Sequence, residues 1–340
     1  MPDTCGETER RSGWRLQPGS WSLLVLSDHG AAIARAYGVG IPTREMIMVA
    51  RGEQGRVWQL DTDMGAFAIK ELVIRQMPAG ALADVAYQEA VLATRAVPMP
   101  RPIRTLAGEV VVDIAEHQVR AYEWVDLLPM DRSFNPAAVG AALAAIHQVH
   151  FTPARPLIGW YAEPVGVRRW HQLLEESKAA AAPFAEALDA EISELLRLEA
   201  LIEPPANLQS CHRDLWADNI LPTPAGDLCV IDWENCGLAD PAQELPMIMI
   251  DFGCGDQRRI TELYLSYRAA GGPARVSGYG SFTMVIAQFS HFWESALTAY
   301  LATDAEEDKA HSLERIAELL NPPLRVADLE EMLDTIASIR

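Results

Sequence analysis

The stretch Cys211-His212-Arg213-Asp214-Leu215-Trp216-Ala217-Asp218-Asn219-Ile220-Leu221, with Leu228-Cys229-Val230-Ile231-Asp232-Trp233-Glu234 after a turn, decides how this chain is read. Thr223-Pro224-Ala225-Gly226-Asp227 is a turn signal between two apolar runs, which predicts a hairpin carrying a loop on each side. Asp214 falls in the loop before the first strand, Asn219 at its start and Asp232 just past the second strand, so the three are expected to converge on one end. Phosphoryl transfer needs a group to orient and deprotonate a hydroxyl, together with hard oxygen ligands for magnesium on the nucleotide phosphates. In these roles Asp214 is the catalytic base, Asn219 and Asp232 hold Mg2+, and His212 braces the loop. Asp and Asn also occur in turns simply to cap backbone groups. The full H-x-D-x-x-x-x-N spacing, with an apolar strand leading into Asp232, favours the chemical reading.

His212 to Asn219, Val230-Ile231-Asp232-Trp233-Glu234 and the trailing Gly237-Leu238-Ala239-Asp240-Pro241-Ala242-Gln243-Glu244-Leu245 together resemble the aminoglycoside phosphotransferase and choline kinase branch of the protein-kinase-like fold. The resemblance implies an α+β bilobal architecture, with an N-lobe antiparallel sheet carrying one main helix and a larger, mainly helical C-lobe. Only eight residue steps separate Asp232 from Asp240-Pro241. That leaves no room for the activation segment on which protein kinases seat a peptide, so a protein substrate is not expected. Asp251-Phe252-Gly253 lies beyond this point in an apolar, helix-like stretch and is a chance match. Arg213 stands where the family usually has Gly, and is expected to pair with a nearby carboxylate.

The nucleotide-binding end is expected upstream. Met46 to Ala50, Arg56 to Leu60 and Gly65 to Leu72 read as three antiparallel strands separated by Gly52 to Gly55 and Asp61 to Gly65. Lys70, on the third of these, resembles the kinase strand lysine that contacts the α and β phosphates, and Glu89 in the helical pattern that follows resembles the glutamate that holds it. Gly52 and Gly55 would let the backbone approach phosphate, although a full G-x-G-x-x-G is absent. A second hairpin, Glu109 to Asp113 and Gln118 to Val125, is expected to run into the hinge, where backbone groups near Glu123 and Val125 would hydrogen-bond adenine. ATP is the expected donor, with GTP as an alternative.

This places an N-terminal nucleotide-binding lobe at 1–122 and a catalytic, substrate-binding lobe at 123–340, with a hinge near 121–126 and a helical insertion near 151–205. Ala137 to His150 carries the i, i+3, i+4 apolar repeat of a helix through Val139, Leu143, Ile146 and Val149. Further helices are expected over Val167 to Ser177, Pro183 to Ile202, Glu244 to Gly253, Gln257 to Ala270, Gly280 to Thr303 and Ala305 to Leu320. Substrate contacts are sought among Trp170, Glu175, Trp216, Asp218, Trp233, Glu234 and Trp293, since rings pack on sugar faces and carboxylates accept from ammonium or hydroxyl groups.

The 340 residues, 49% hydrophobic and 22% charged, suffice for two lobes with a substantial core. A net charge of −19, from 47 acidic against 28 basic residues, disfavours a nucleic-acid partner and suits a cationic small molecule with a hydroxyl to modify. No run approaches the ~18 apolar residues of a membrane span, and Met1 to Ser20 lacks a signal-peptide core, so a cytoplasmic protein without a membrane partner is expected. The five cysteines follow no C-x-x-C or zinc spacing and read as free thiols, and no heptad run calls for an oligomer, so a monomer is expected. The expected activity is Mg-dependent transfer of a nucleoside triphosphate γ-phosphate to a small-molecule hydroxyl, most simply of an aminoglycoside-like or other antibiotic. The alternatives are a metabolic kinase for choline, thiamine, homoserine or an amino sugar, and a silent binding protein on the same scaffold.

Overall fold

Asp63 and Met64 turn the chain between two strands that pair without a break from Gly55↔Leu72 to Thr62↔Gly65, and Gly65, at φ 137°, adopts the left-handed backbone that closes the turn. The computed structural model that shows this describes residues 26–52, 55–73, 75–152, 156–321 and 324–339. The two strands are β2 (Gly55–Thr62) and β3 (Gly65–Leu72). Together with β1 (Ile47–Arg51), β4 (Pro102–Ile103), β5 (Val112–Ile114) and β6 (His117–Glu123) they form an antiparallel sheet in the order β1-β2-β3-β6-β4, with β5 on β6.

Alternation along these strands gives the sheet two different faces. One carries Trp58, Leu60, Ile69, Val119 and Ala121, packed with Ile33, Ala34 and Tyr37 of α1 (Gly30–Tyr37), a helix not expected from the sequence. The other carries Lys70 directly opposite Arg120, and it receives α2 (Pro78–Ala93), whose Ala81 and Val85 pack with Leu72, Val110 and Val111. Gly55 permits close pairing, because a Cβ there would collide with the Glu71 carbonyl oxygen. By internal packing this unit comprises the described residues within Met1–Phe134, Val149–Arg155 and Trp216–Gly237. Its last segment is the short hairpin β8 (Ile220–Pro222) and β9 (Leu228–Val230), with Ile220 opposite Val230.

A second compact unit comprises the described residues within Asn135–Gln148, Pro156–Leu215 and Leu238–Arg340. Its helices are α3 (Pro136–His147), α4 (Val167–Ala179), α5 (Ala185–Glu199), α6 (Pro241–Gly253), α7 (Gln257–Ala269), α8 (Thr283–Ala302), α9 (Glu306–Leu319) and α10 (Val326–Ala337). The first seven follow the expected periodicity; α10 was not expected. The short strands β7 (Gln209–Cys211) and β10 (Gly237–Ala239) pair in front of α6 in the chain. Asp251-Phe252-Gly253 ends α6 with Phe252 fully buried, as suits a helical core segment. No helix among the described residues is long and apolar enough to cross a membrane. Cys211, Cys229, Cys236 and Cys254 are free thiols, and Cys5 lies outside the described residues.

Candidate active site

Lys70 and Arg120 face each other across β3 and β6, so two cations leave the same side of the sheet. Like charges so placed repel unless carboxylates lie between them, and three do. Asp232 Oδ1 accepts a hydrogen bond from Lys70 Nζ at 2.6 Å, and Glu234 Oε2 forms an ion pair with it at 3.0 Å. Glu234 Oε1 accepts from the Tyr122 hydroxyl at 2.9 Å and lies 3.9 Å from Arg120 Nη1. Asp84 of α2 pairs with Arg120 at 3.2 Å, and Gln76 also accepts from that guanidinium. Burial works against the charge of Lys70, but Asp232 and then Glu234 outweigh it and hold the ammonium above its ordinary pKa. Burial likewise opposes ionisation of Glu234, and Lys70, Asp232 and Arg120 hold it well below the usual carboxylate range. Burial and the Glu234 charge push the Tyr122 hydroxyl up, which keeps it a donor.

The hairpin β8–β9 delivers these carboxylates. Ile231 N–H donates to the Asn219 carbonyl at 3.0 Å, which closes the end of the hairpin on which Asn219 and Asp232 both sit. Asp232 then adopts φ 61°, a left-handed conformation that costs a non-glycine residue about 1–3 kcal/mol and persists where its surroundings impose it. The reversal leads into the tight helical turn Trp233–Asn235, so that residues two apart both reach Lys70. Trp233 anchors the turn by donating to the Val230 carbonyl at 3.2 Å and meeting the Tyr87 ring edge-on. Asn219 and Asp232 offer amide and carboxylate oxygens on one hairpin end, a donor set that fits a hard divalent cation such as magnesium.

Asp214 belongs to the other unit, where the backbone immediately before it is held on two sides. Arg213 has φ 68°; its N–H donates to the Glu244 carboxylate, and its carbonyl accepts from Gln288 Nε2 at 2.9 Å. Glu244 sits in the first turn of α6, which starts at Asp240-Pro241 with the Asp240 side chain capping Ala242 N–H. The other Asp240 oxygen accepts from the Ala206 and Asn207 amides at 2.8 Å. Behind Glu244 runs a buried chain of hydrogen bonds: Ala274 N–H donates to the Tyr267 hydroxyl at 3.0 Å, Tyr267 meets His147 Nδ1 at 2.8 Å, and His147 Nε2 meets Glu244 at 2.8 Å. Burial opposes the Glu244 charge, yet His147, His212 and the Arg213 amide hold its carboxyl below the ordinary value. His147, Cys211 and Glu244 approach within 4.8 Å of one another. Burial and the nearby Glu244 push the Cys211 thiol up, so it offers a neutral S–H rather than a metal-binding thiolate.

A family model described as the phosphotransferase enzyme family matches residues 47–279, a span that contains both clusters. The chain belongs to this family. A search of curated protein sequences found no significant match. Among solved structures, the phosphotransferase is similar to the spectinomycin phosphotransferase APH(9)-Ia in complex with ADP and spectinomycin, with a TM-score of 0.68 and 14% identity over 92% of this chain and 99% of the other. It is also similar to the macrolide 2'-phosphotransferase MphH from Brachybacterium faecium, with a TM-score of 0.52 and 17% identity over 88% and 99% of the two chains. An ethanolamine kinase from Plasmodium vivax gives a TM-score of 0.52 and 12% identity over 84% and 83%. At these identities the likeness establishes the bilobal, protein-kinase-like fold.

Several expected site residues lie elsewhere. Glu89 does not meet Lys70: it forms a bidentate pair with Arg104 at 2.7 and 3.0 Å. The cause is the rotation of α2, which turns Asp84 and Gln88, four residues apart and on one face, into the interior. Glu89 is then about 100° further round the helix. Glu234, sought as a substrate contact, is 2% exposed and committed to Lys70 and Tyr122. Trp233 and Trp293 are core residues, the latter packed with Trp170, Leu173 and Leu297, and Trp170 itself is buried with its indole N–H on Glu199. None of these three rings presents a face to a ligand. Trp216 and Asp218 are partly exposed and Glu175 is exposed on α4.

Gly52 N–H donates to the Gly55 carbonyl at 2.9 Å, so these two close the β1–β2 turn, while Glu53 and Gln54 lie outside the described residues. Glu123 N–H is already taken by the Arg101 carbonyl at 2.9 Å, and Val125 lies just past the end of β6. His212 is fully buried beside Glu244. The Arg213 guanidinium stacks 4.3 Å above the Tyr161 ring, and the Glu244 carboxylate accepts from the Arg213 backbone N–H. Sequence reasoning missed Arg120, Asp84, Glu244 and His147. A signal for the first two was present: an arginine amid Val119, Ala121 and Tyr122 in a buried strand requires a buried carboxylate.

Proposed function

We propose that this phosphotransferase moves the γ-phosphoryl group of ATP, with GTP as an alternative donor, to a hydroxyl group of an aminoglycoside-like or other antibiotic. The reading is carried by the 2.6 Å contact of Lys70 with Asp232, on a hairpin that also bears Asn219, in a chain matching a phosphotransferase family. Lys70 offers its charge to the α and β phosphates. Asn219 and Asp232 would hold Mg2+, which neutralises phosphate charge when bound. Asp214 orients the acceptor hydroxyl and takes its proton; the oxygen forms its bond to the γ-phosphorus as the bond to the β-phosphate oxygen breaks and ADP leaves. His212 and Glu244 hold the loop in which Asp214 sits. Backbone groups around Glu123 and Val125 serve adenine, and Trp216, Asp218 and Glu175 are the substrate-contact candidates that keep exposed surface.

The acidic balance of the chain suits a cationic acceptor, and similarity to spectinomycin and macrolide phosphotransferases favours an antibiotic. We take the protein to act as a cytoplasmic monomer in resistance. Similarity to an ethanolamine kinase supports a second reading, a metabolic kinase for a small amino alcohol. Labelled ATP presented with aminoglycosides, macrolides, peptide antibiotics, choline, ethanolamine and amino sugars separates the two by which product becomes labelled. Asp214→Asn should then lower turnover by about 10²- to 10⁴-fold with nucleotide affinity retained. Equal turnover in the variant would remove Asp214 from the base role.

A further inference from the structure

We infer that Glu234 is the positioning residue for Lys70, and that α2 is coupled to Lys70 through Asp84, Arg120 and Glu234 rather than through a helix glutamate. The inference rests on the proposed contact of Lys70 with the nucleotide phosphates and says how that contact is kept in place. A flexible ammonium can bind phosphate in one geometry only if a second partner holds it. Two carboxylates touch Lys70, and they differ in kind. The Asp232 side chain is 29% exposed and is the proposed magnesium ligand, so it would be shared between Lys70 and the metal. The Glu234 side chain is 2% exposed, with one oxygen in an ion pair with Lys70 and the other on the Tyr122 hydroxyl, so burial and these two partners fix it beside the lysine.

The helix carboxylate is occupied elsewhere, since both Glu89 oxygens bond to Arg104. What α2 contributes instead is Asp84, buried with Arg120, and Arg120 stands directly across the strands from Lys70 and 3.9 Å from Glu234. Cation and carboxylate therefore alternate from α2 to Lys70. Glu234 as a further metal ligand is the competing role, and burial with both oxygens already engaged argues against it.

The test is equilibrium binding of ADP and AMP-PNP by calorimetry to the full chain, with and without magnesium, for native protein, K70M, E234Q, K70M/E234Q, E89Q and Y122F. K70M and E234Q should each weaken AMP-PNP binding by about tenfold, the scale of one charged hydrogen bond. In the K70M background E234Q should add less than about twofold, because the two side chains act as one unit. E89Q should stay within about twofold of native protein, since its half-exposed ion pair is with Arg104 and not with Lys70. Y122F, which frees one Glu234 oxygen without removing a charge, should give a smaller loss than E234Q that also vanishes in K70M; it carries the test if thermal melting shows E234Q to be unfolded. An E234Q loss that persists in K70M, a loss specific to the magnesium dependence, or a loss in E89Q equal to that in K70M would each overturn the inference. Native-like binding by K70M would overturn the nucleotide role of Lys70 itself, and this inference with it.

Discussion

Two buried ionic clusters, one in each compact unit, are built on opposite plans. Around Lys70 the charges are balanced by other charges: two cations, Lys70 and Arg120, against Asp84, Asp232 and Glu234, with Asp232 partly open to solvent. Around Glu244 a single carboxylate, fully buried, is held by His147 and a backbone amide, with Tyr267 behind them. Ion pairs tolerate exchange of one anion for another, so in the proposed nucleotide role phosphate would take the place of Asp232 on Lys70. A carboxylate tied to a backbone N–H fixes chain geometry, so the Glu244 cluster serves to keep Arg213, and therefore the start of the Asp214 loop, in one conformation.

This contrast is most easily broken by removing Glu244. Glu244→Ala leaves His147 Nε2 and the Arg213 amide without their acceptor in a dry interior, and should cost about 3–5 kcal/mol of folding stability, the scale of a broken buried pair. Urea denaturation measures it. A loss below about 1 kcal/mol would mean that the loop is held by Gln288 and the Arg213–Tyr161 stack rather than by Glu244.

Acid should sharpen the same contrast. The Glu244 carboxyl is held below its ordinary value of 4.5, first by His147, so its contribution to stability is complete above that pH and is lost as pH falls through the folded-state value. Glu234, held low by Lys70, acts in the same direction. Stability of the native protein should therefore decline below about pH 4.5, each such carboxyl adding up to about 1.4 kcal/mol per pH unit to the slope. In Glu244→Gln the slope should be shallower by one proton's share. An unchanged slope, measured as urea midpoints at several acid pH values, would count against the assignment.

Much of this architecture is legible in the sequence because it is encoded locally. The hairpins around Gly65 and Gly226 announce themselves by apolar runs on both sides of a turn, and the long helices by their apolar spacing. The clusters are less legible because their members are remote in sequence: His147 and Glu244 are 97 residues apart, and His147 and Tyr267 are 120. No local pattern marks such pairs. The assignment of Glu89 to Lys70 fails for a different reason, because a helix of mixed small and polar residues such as Ala83-Asp84-Val85-Ala86-Tyr87-Gln88-Glu89 does not declare which face is inward. Trp233 and Trp293 mislead in the usual way of aromatic rings, which fill cores more often than they line sites. The short helix α1 offers only Ile33, Ala34 and Tyr37 as its buried stripe, too little pattern to separate from its surroundings.

A smaller effect tests whether the Glu244 chain ends at His147 or extends beyond it. Tyr267→Phe keeps the ring edge against His147 and removes only the hydroxyl that joins His147 Nδ1 to Ala274 N–H. Loss of about 1–2 kcal/mol in urea denaturation is expected, with nucleotide binding unchanged, because the hydroxyl serves two buried polar groups at once.

The smallest effect separates the interior clusters from the surface pair that takes Glu89. Glu89 and Arg104 have side chains 39% and 34% exposed, and despite their bidentate geometry water screens the attraction and holding two long side chains costs entropy. Glu89→Gln should change stability by no more than about 1 kcal/mol, and raising the salt concentration should shrink the difference further. Glu234→Gln puts a neutral amide between Lys70 and Arg120 in a site that salt does not reach, so its destabilisation should exceed that of Glu89→Gln and stay constant with ionic strength. Thermal melts of both variants in low and high salt make the comparison. Equal, salt-sensitive losses would mean that the carboxylate beside Lys70 is no better shielded than one on the surface of α2, and the distinction between an anchoring glutamate and a solvated one would fall.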